Sequence, residues 1–114
     1  MFPRATMTQP HFKITVRDVP DAEASVRSMQ HEARRLSGRY PALTALHFDL
    51  DASAAQFEAR IDLRFPQHQL IVNATASAPD GAVRQALAAA ARELLRLEAR
   101  DPSIAALPPH AKAA

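Results

Sequence analysis

The sequence contains no cysteine or tryptophan, and only two of its 114 residues are glycine. Without cysteine there is no disulfide framework, no thiolate ligand for zinc and no thiol nucleophile. The two glycines, Gly38 and Gly81, are too far apart to form a glycine-rich loop around a phosphate group. No apolar run approaches the roughly 20 residues that a membrane-spanning helix requires. The sequence therefore excludes a disulfide-rich domain, a P-loop protein and a helical membrane protein.

The length and the ends of the chain predict one small domain. A chain of 114 residues buries a modest core without metal or disulfide staples. Residues 1–10 contain Pro3 and Pro10 and show no periodicity, so we expect a flexible leader there, a domain over residues 11–101 and a disordered tail over residues 102–114. The start of the chain lacks the apolar core of a signal peptide, which together with the missing cysteine predicts a cytoplasmic protein.

The second half of the sequence predicts a hairpin covered by a helix. Apolar and polar residues alternate over residues 57–65 and again over residues 70–77, with a turn at residues 66–69 between them. A period of two is typical of strands with one buried and one exposed face. The period becomes helical after the break at Pro79-Asp80-Gly81. The apolar stripe of this helix is formed by Val83, Ala86, Leu87, Ala90, Leu94 and Leu97.

The first half predicts a strand, a helix and another strand. Residues 11–17 alternate, with Phe12, Ile14 and Val16 on the side expected to face the core. Asp18 or Asp21 is expected to cap a helix that ends at Gly38. The apolar stripe of that helix is formed by Ala22, Val26, Met29, Ala33 and Leu36. A strand over residues 43–50, with Leu46, Phe48 and Leu50 facing inward, and a turn over residues 51–56 complete this half.

The order of elements predicts an α+β fold. A strand-helix-strand connection favours a right-handed crossover with two parallel strands, and the short links that follow favour an antiparallel meander. The order β-α-β-β-β-α therefore predicts a two-layer sandwich, in which both helices cover one face of a four-stranded mixed sheet.

Three side chains on one predicted strand raise the question of a metal site. His47, Asp49 and Asp51 alternate and so project from one face, and an imidazole with two carboxylates is a known type of ligand set. The neighbouring strand places charged residues on the same face, namely Glu58, Arg60, Asp62 and Arg64. Charge pairing between the strands accounts for this pattern, and the other histidines and the serines form no catalytic arrangement. We therefore predict no metal, no cofactor and no enzymatic activity.

Arginine dominates the charge of the chain. The formal net charge is only +2, but 12 of the 14 basic residues are arginine, the side chain that best binds phosphate in a bidentate way. Candidate RNA-binding residues at the end of the first strand and on the two helices are Arg17, Arg35, Arg39, Arg84, Arg92 and Arg96. The alternative is a solvated helix surface, which Glu23 and Glu32 partly neutralise on the first helix.

Several short motifs between Phe12 and about Arg100 follow the pattern of one known family. They are Ile14-Thr15-Val16-Arg17, the segment Leu36 to Tyr40, Leu63-x-Phe65, Leu70-x-Val72-x-Ala74 and Ala82-Val83. In these motifs the sequence resembles the short ribosome hibernation-promoting factors, a family of ribosome-associated inhibitors. In that family the positions of Arg35, Arg92 and Arg96 are commonly basic.

The resemblance implies a non-enzymatic protein that binds the small ribosomal subunit and its rRNA, inhibits translation and promotes ribosome hibernation under stress. The length implies the short form, without the additional C-terminal domain of the long form. The sequence departs from the family pattern at Ala78, Asp80 and Arg84, where the last helix begins. An alternative is therefore a protein-interaction module of the same fold that has lost ribosome binding, and a third is an enzyme that uses the face of His47, Asp49 and Asp51.

Overall fold

The computed structural model describes residues 11–106 and confirms the predicted order of elements. The predicted leader, residues 1–10, and the last part of the predicted tail, residues 107–114, lie outside the described residues. The strands are β1 (His11–Arg17), β2 (Ala45–Ser53), β3 (Gln56–Phe65) and β4 (His68–Ala76), and the helices are α1 (Glu23–Arg39) and α2 (Pro79–Arg100). Neither α1 nor α2 is long and apolar enough to span a membrane.

The four strands form one mixed sheet in the order β1-β2-β3-β4. β1 runs parallel to β2, whereas β2 with β3 and β3 with β4 are antiparallel. The register places Leu63 opposite both Leu46 on β2 and Leu70 on β4. Because residues directly opposite one another share a face of the sheet, the apolar side chains of the strands collect on one face. The predicted parallel pair and antiparallel meander are confirmed.

Both helices pack on this apolar face. Met29 and Ala33 of α1 and Ala90 and Leu94 of α2 belong to the same buried cluster as Leu63 of β3. The burial of apolar surface in this cluster is the main stabilising term, worth about 1.5–3 kcal/mol for each fully buried leucine. Leu87 of the predicted helical stripe and Phe57 of β3 are partly buried against it.

The predicted capping of α1 by Asp18 or Asp21 is wrong. The N-cap residue is Ala22, and no side chain forms a capping hydrogen bond there. Asp18 and Asp21 instead have φ angles of 57° and 52°, in the left-handed region. Aspartate adopts this conformation more readily than most residues, because its short polar side chain bonds locally to the backbone. The two aspartates therefore shape the connection from β1 to α1.

The predicted end of α1 at Gly38 is one residue early. Gly38 is helical and has no positive φ, and the helix continues to Arg39. The N–H of Tyr40 donates to the carbonyl oxygen of Leu36 at 2.8 Å, while the Tyr40 ring turns into the core. The next residue is Pro41, which disfavours helical backbone at Tyr40, so the helix ends before Tyr40 rather than at the glycine.

The turns are tighter than the sequence indicates. β2 extends to Ser53, which pairs with Gln56, so the loop between β2 and β3 contains only residues 54–55. Ala54 has a φ of 54°, a left-handed conformation that residues with a Cβ rarely adopt. β4 begins at His68 rather than at residue 70, and α2 begins at Pro79, since proline fits the first position of a helix.

The first part of the predicted disordered tail is ordered. Pro102–Ala105 forms a short 3-10 helix, and Ile104 is 2% exposed within the core. Asp101 fixes this segment, because its carboxylate accepts hydrogen bonds from the backbone N–H of Ser103 at 3.2 Å and from the Ser103 hydroxyl at 2.5 Å. The second carboxylate oxygen lies 2.7 Å from Nε2 of His68, at the start of β4. The buried side chain of Ile104 and the carboxylate of Asp101 thus order the segment after α2, so the domain continues beyond that helix.

This cluster predicts a pH-dependent contribution to stability. Hydrogen bonds from Ser103 and then from His68 lower the pKa of Asp101 in the folded chain. A carboxyl with a lowered folded-state pKa stabilises the fold above its unfolded pKa of about 3.9, and this contribution is lost as the pH falls through the folded value. At pH 7 we expect the wild-type protein to have a larger free energy of unfolding than the Asp101→Asn variant. This difference in free energy should shrink below pH ~4. Urea denaturation at several pH values measures it, and a difference that stays constant from neutral to acid pH would contradict the assignment.

Candidate nucleic-acid interface

The basic residues are distributed unequally between the two surfaces of the sandwich. On the helices, α1 carries four arginines against two glutamates, and α2 carries four arginines against three acidic residues. The sheet face that the helices leave open carries Lys13, Arg17, Arg60 and Arg64, and equally Asp49, Asp51, Glu58 and Asp62. The helical layer therefore has a positive excess, whereas the open face of the sheet is balanced.

A groove separates the two helices, which run in the same direction. Near the helix starts, the Ser25 hydroxyl donates to Oδ1 of Asp80 at 2.6 Å. Near the helix ends, Nη2 of Arg39 donates to Oε1 of Glu98 at 3.0 Å. Between these contacts lie two adjoining depressions of about 420 and 360 Å³. Their apolar walls include Leu36, Leu87, Ala91, Leu94 and Leu95.

Three of the candidate arginines flank this groove. Arg35 lines both depressions and pairs with Glu32 one turn earlier on α1, at 2.6 Å. Arg84 lies across the groove on α2, close to His31 and Glu32 in a further depression of about 230 Å³. Within the part of the chain that the structure describes, Arg84 forms no ion pair. Its exposed guanidinium is available to an external anion.

Arg39 is the third arginine beside the groove, and contacts with Glu98 and Tyr40 hold its side chain in place. It pairs with both carboxylate oxygens of Glu98, at 3.0 and 3.3 Å, and its guanidinium carbon lies 4.9 Å from the centre of the Tyr40 ring. The Tyr40 hydroxyl donates to Glu98 at 3.4 Å. Burial raises the pKa of Tyr40 above its usual value, Arg39 lowers it and Glu98 raises it further. Tyr40 therefore stays a neutral hydrogen-bond donor at physiological pH, and the cluster ties the end of α1 to α2.

Arg92 and Arg96 lie on the other flank of α2. They are four residues apart, which places them one above the other on a helix surface. The side of α2 that faces the groove carries Leu87, Ala91 and Leu95. Because an α-helix has 3.6 residues per turn, Arg92 and Arg96 point away from α1. Arg96 pairs with Glu93 at 3.0 Å, whereas Arg92 is exposed and forms no ion pair among residues 11–106.

Arg17 does not lie with the other five candidates. It is at the end of β1 on the open face of the sheet, where Nε lies 3.5 Å from a carboxylate oxygen of Asp51 on β2. The sheet separates it from the helical layer. Five of the six candidates therefore lie on the helical layer, three beside the groove and two on the far flank of α2, while Arg17 lies on the opposite face of the sheet. Three further arginines of the helices are also exposed, namely Arg27, Arg34 and Arg100.

Charge pairing does occur on the open face, but between other residues than those predicted. Asp51 pairs with Arg17 of β1, and Asp62 accepts hydrogen bonds from Arg64 on its own strand and from Gln69 of β4. Asp49 lies directly opposite Arg60, yet within residues 11–106 no ion pair joins them. Alternation predicts which charged residues share this face, but the choice among neighbouring partners depends on side-chain conformations in the folded sheet.

One contact on this face joins two histidines. Nδ1 of His11 lies 3.1 Å from Nε2 of His47, with the rings edge to face. They are 36 residues apart, so sequence reasoning did not bring them together. Among the described residues, no group of three or more histidine, aspartate or glutamate side chains is placed to hold a metal ion.

We predict that calorimetry with zinc, manganese or magnesium shows no tight stoichiometric binding. The physical reason is that Asp51 and Asp62 are already compensated by arginine, and His11 with His47 supplies only two nitrogens, fewer than the three protein ligands of a typical zinc site. A heat of binding that Asp49→Ala or His47→Ala abolishes would contradict this prediction and reopen the catalytic interpretation of the face.

No family model matches the chain, and no curated protein matches it. Several solved structures share its fold, among them the following two. A ribosomal subunit interface protein from Coxiella burnetii superimposes with a TM-score of 0.64 at 13% identity, over 78% of this chain and 98% of the other. The N-terminal domain of Thermus thermophilus Protein Y superimposes with a TM-score of 0.64 at 17% identity, over 77% of this chain and 98% of the other. The chain therefore has the fold of these two proteins, as the sequence resemblance implied.

Proposed function

We propose that this protein is a cytoplasmic, ribosome-associated factor that binds the small subunit through rRNA, inhibits translation and promotes ribosome hibernation under stress. It acts by occupying a site on the small subunit and catalyses no reaction. The proposal rests on the fold shared with a protein described as a ribosomal subunit interface protein, and on the family resemblance of the sequence.

The single observation on this chain that carries the proposal is the basic helical layer. Arg35, Arg39, Arg84, Arg92 and Arg96 are all exposed on one side of the molecule. Guanidinium groups form charge-assisted, bidentate hydrogen bonds with phosphates, and each neutralised phosphate releases condensed counterions. A-form RNA has a deep, narrow major groove, so a rigid protein surface recognises it mostly by shape and backbone contacts. Arginines spread over two packed helices suit that kind of recognition.

One observation favours the second candidate, a protein-interaction module. The floor of the interhelical groove is apolar, and Leu95 beside it is 61% exposed. An exposed leucine next to an apolar groove is typical of a surface that binds another protein. Such binding depends mainly on apolar burial, so it responds weakly to salt, whereas binding to RNA phosphates weakens steeply as salt rises.

Sedimentation with ribosomes tests the proposal and separates the candidates. Tagged protein is centrifuged with a ribosome preparation through sucrose gradients at low and at high salt. The proposal predicts that the protein migrates with small subunits at low salt and is released at high salt. Migration with ribosomes that salt does not affect would contradict binding through rRNA phosphates. Absence from ribosomes at both salt concentrations would contradict ribosome binding and favour the protein-interaction module.

A further inference from the structure

Three arginines of the helical layer each contact a glutamate of the same layer. Arg35 pairs with Glu32 at 2.6 Å and Arg96 with Glu93 at 3.0 Å, both within one turn of a helix. Arg39 pairs across the groove with Glu98. The three arginine side chains remain 66%, 72% and 53% exposed, so an external phosphate can reach them. The carboxylates are less exposed, at 23%, 40% and 26% respectively.

A glutamate in this position opposes phosphate binding in two ways. It occupies some of the five N–H donors of the guanidinium, which a bidentate phosphate contact also needs. Its negative charge, within about 3 Å of the guanidinium, also repels a phosphate that approaches the same group. The carboxylate is tethered to the same molecule and is therefore always present, unlike a salt ion from solution.

We propose that Glu32, Glu93 and Glu98 are internal competitors of RNA phosphate that lower the affinity of the helical layer and set its salt dependence. This inference rests on the proposed function, and it assigns a role to acidic residues that the arginine candidates alone do not explain. Among the five candidate arginines of the helices, only Arg84 and Arg92 form no ion pair within the described part of the chain, and they are then the primary phosphate anchors of that set. The other three arginines contribute only where RNA presents enough phosphate charge to displace the glutamates.

Glu98 differs from the other two competitors because it joins two helices. It accepts hydrogen bonds from Arg39 and from the Tyr40 hydroxyl, so removing its side chain would also loosen the end of α1. Glutamine keeps an oxygen that accepts these bonds but removes the negative charge. Substitution by glutamine therefore separates the effect of charge on binding from the effect of lost contacts on folding.

The test measures RNA affinity of Glu→Gln variants. Wild type, Glu32→Gln, Glu93→Gln, Glu98→Gln and the triple variant are titrated with labelled duplex RNA and with purified small subunits at several salt concentrations. The control is Glu58→Gln, which changes the net charge equally but lies on the open face of the sheet. We expect each helical variant to bind about twofold to fivefold more tightly, and the triple variant roughly tenfold or more, with a steeper salt dependence. Glu58→Gln is expected to change affinity by less than about twofold.

Failure of the proposed function and failure of this inference give different binding results. If wild type binds neither duplex RNA nor small subunits at low salt, the proposed function fails. If wild type binds but the triple variant binds no more tightly than Glu58→Gln, the glutamates are not competitors and this inference fails alone. Thermal melting of every variant checks the fold. If the Glu98 variants melt early, the affinity of Glu32→Gln tests the inference instead, since among residues 11–106 the ion pair of Glu32 lies within α1.

Discussion

Replacement of Leu63 by alanine is expected to lower the free energy of unfolding by about 2–5 kcal/mol. Leu63 is fully buried in the centre of the sheet, between Leu46 of β2 and Leu70 of β4. The substitution removes buried methyl groups and leaves a cavity that packed neighbours fill only in part. Because a domain of this size is stable by roughly 5–15 kcal/mol, the loss would be a large fraction of the total. Urea denaturation followed by circular dichroism measures it.

A matched control is Ile71→Ala on β4. Ile71 is 46% exposed on the open face, so it loses less buried surface than Leu63, and its removal leaves no closed cavity. We expect it to cost less than about 1 kcal/mol. Equal losses for Leu63→Ala and Ile71→Ala would mean that the assignment of the two sheet faces is incorrect.

Replacement of Arg92 and Arg96 together by alanine is expected to weaken binding to small subunits by roughly 10- to 100-fold. Each arginine that contacts a phosphate contributes to affinity through counterion release, so the slope of log affinity against log salt should flatten by about 1 to 2, depending on how far phosphate displaces Glu93 from Arg96. Stability should change by less than about 0.5 kcal/mol per site, since exposed arginines contribute little to folding. Filter binding or fluorescence anisotropy across a salt series measures both quantities.

The control for this pair removes the same charge from the other surface. Lys13 and Arg60 are exposed on the open face of the sheet, behind the helical layer. Lys13→Ala with Arg60→Ala is expected to leave the salt slope unchanged, because these residues contact no phosphate in the proposed mode. If the Arg92 and Arg96 variant binds as well as wild type, those arginines are only a solvated helix surface. If both double variants weaken binding equally, net charge rather than the helical layer determines affinity.

The elements of the fold could be predicted because their periodicities are local. The alternation around Leu63 arises because one side of a single strand contacts the apolar layer. The helical stripe containing Leu94 arises in the same way from one side of a single helix. Their burial in a common cluster confirms both predictions. The element ends were less accurate, since they depend on tertiary contacts. Burial of Ile104 orders a segment whose composition predicts disorder, and α1 continues past Gly38 to Arg39.

The candidate site could be predicted only as a set of exposed arginines. Periodicity placed Arg92 and Arg96 off the apolar stripe, and both are exposed. It gave no information on the partner of Arg39, because Glu98 is 59 residues away and contacts it only after both helices pack on the sheet. The separation of Arg17 from the other candidates could be predicted, because the alternation along β1 places Arg17 on the face opposite the core and the helices. Which arginines are free and which are paired is thus a property of the fold.

Ribosome binding through rRNA is tested by measuring how the labelled wild-type protein binds purified small and large ribosomal subunits, at low salt and again at high salt. We expect saturable binding to small subunits at low salt, much weaker binding to large subunits, and loss of the small-subunit complex as salt rises. Failure to bind small subunits at low salt, including particles from stationary-phase cells, would contradict it.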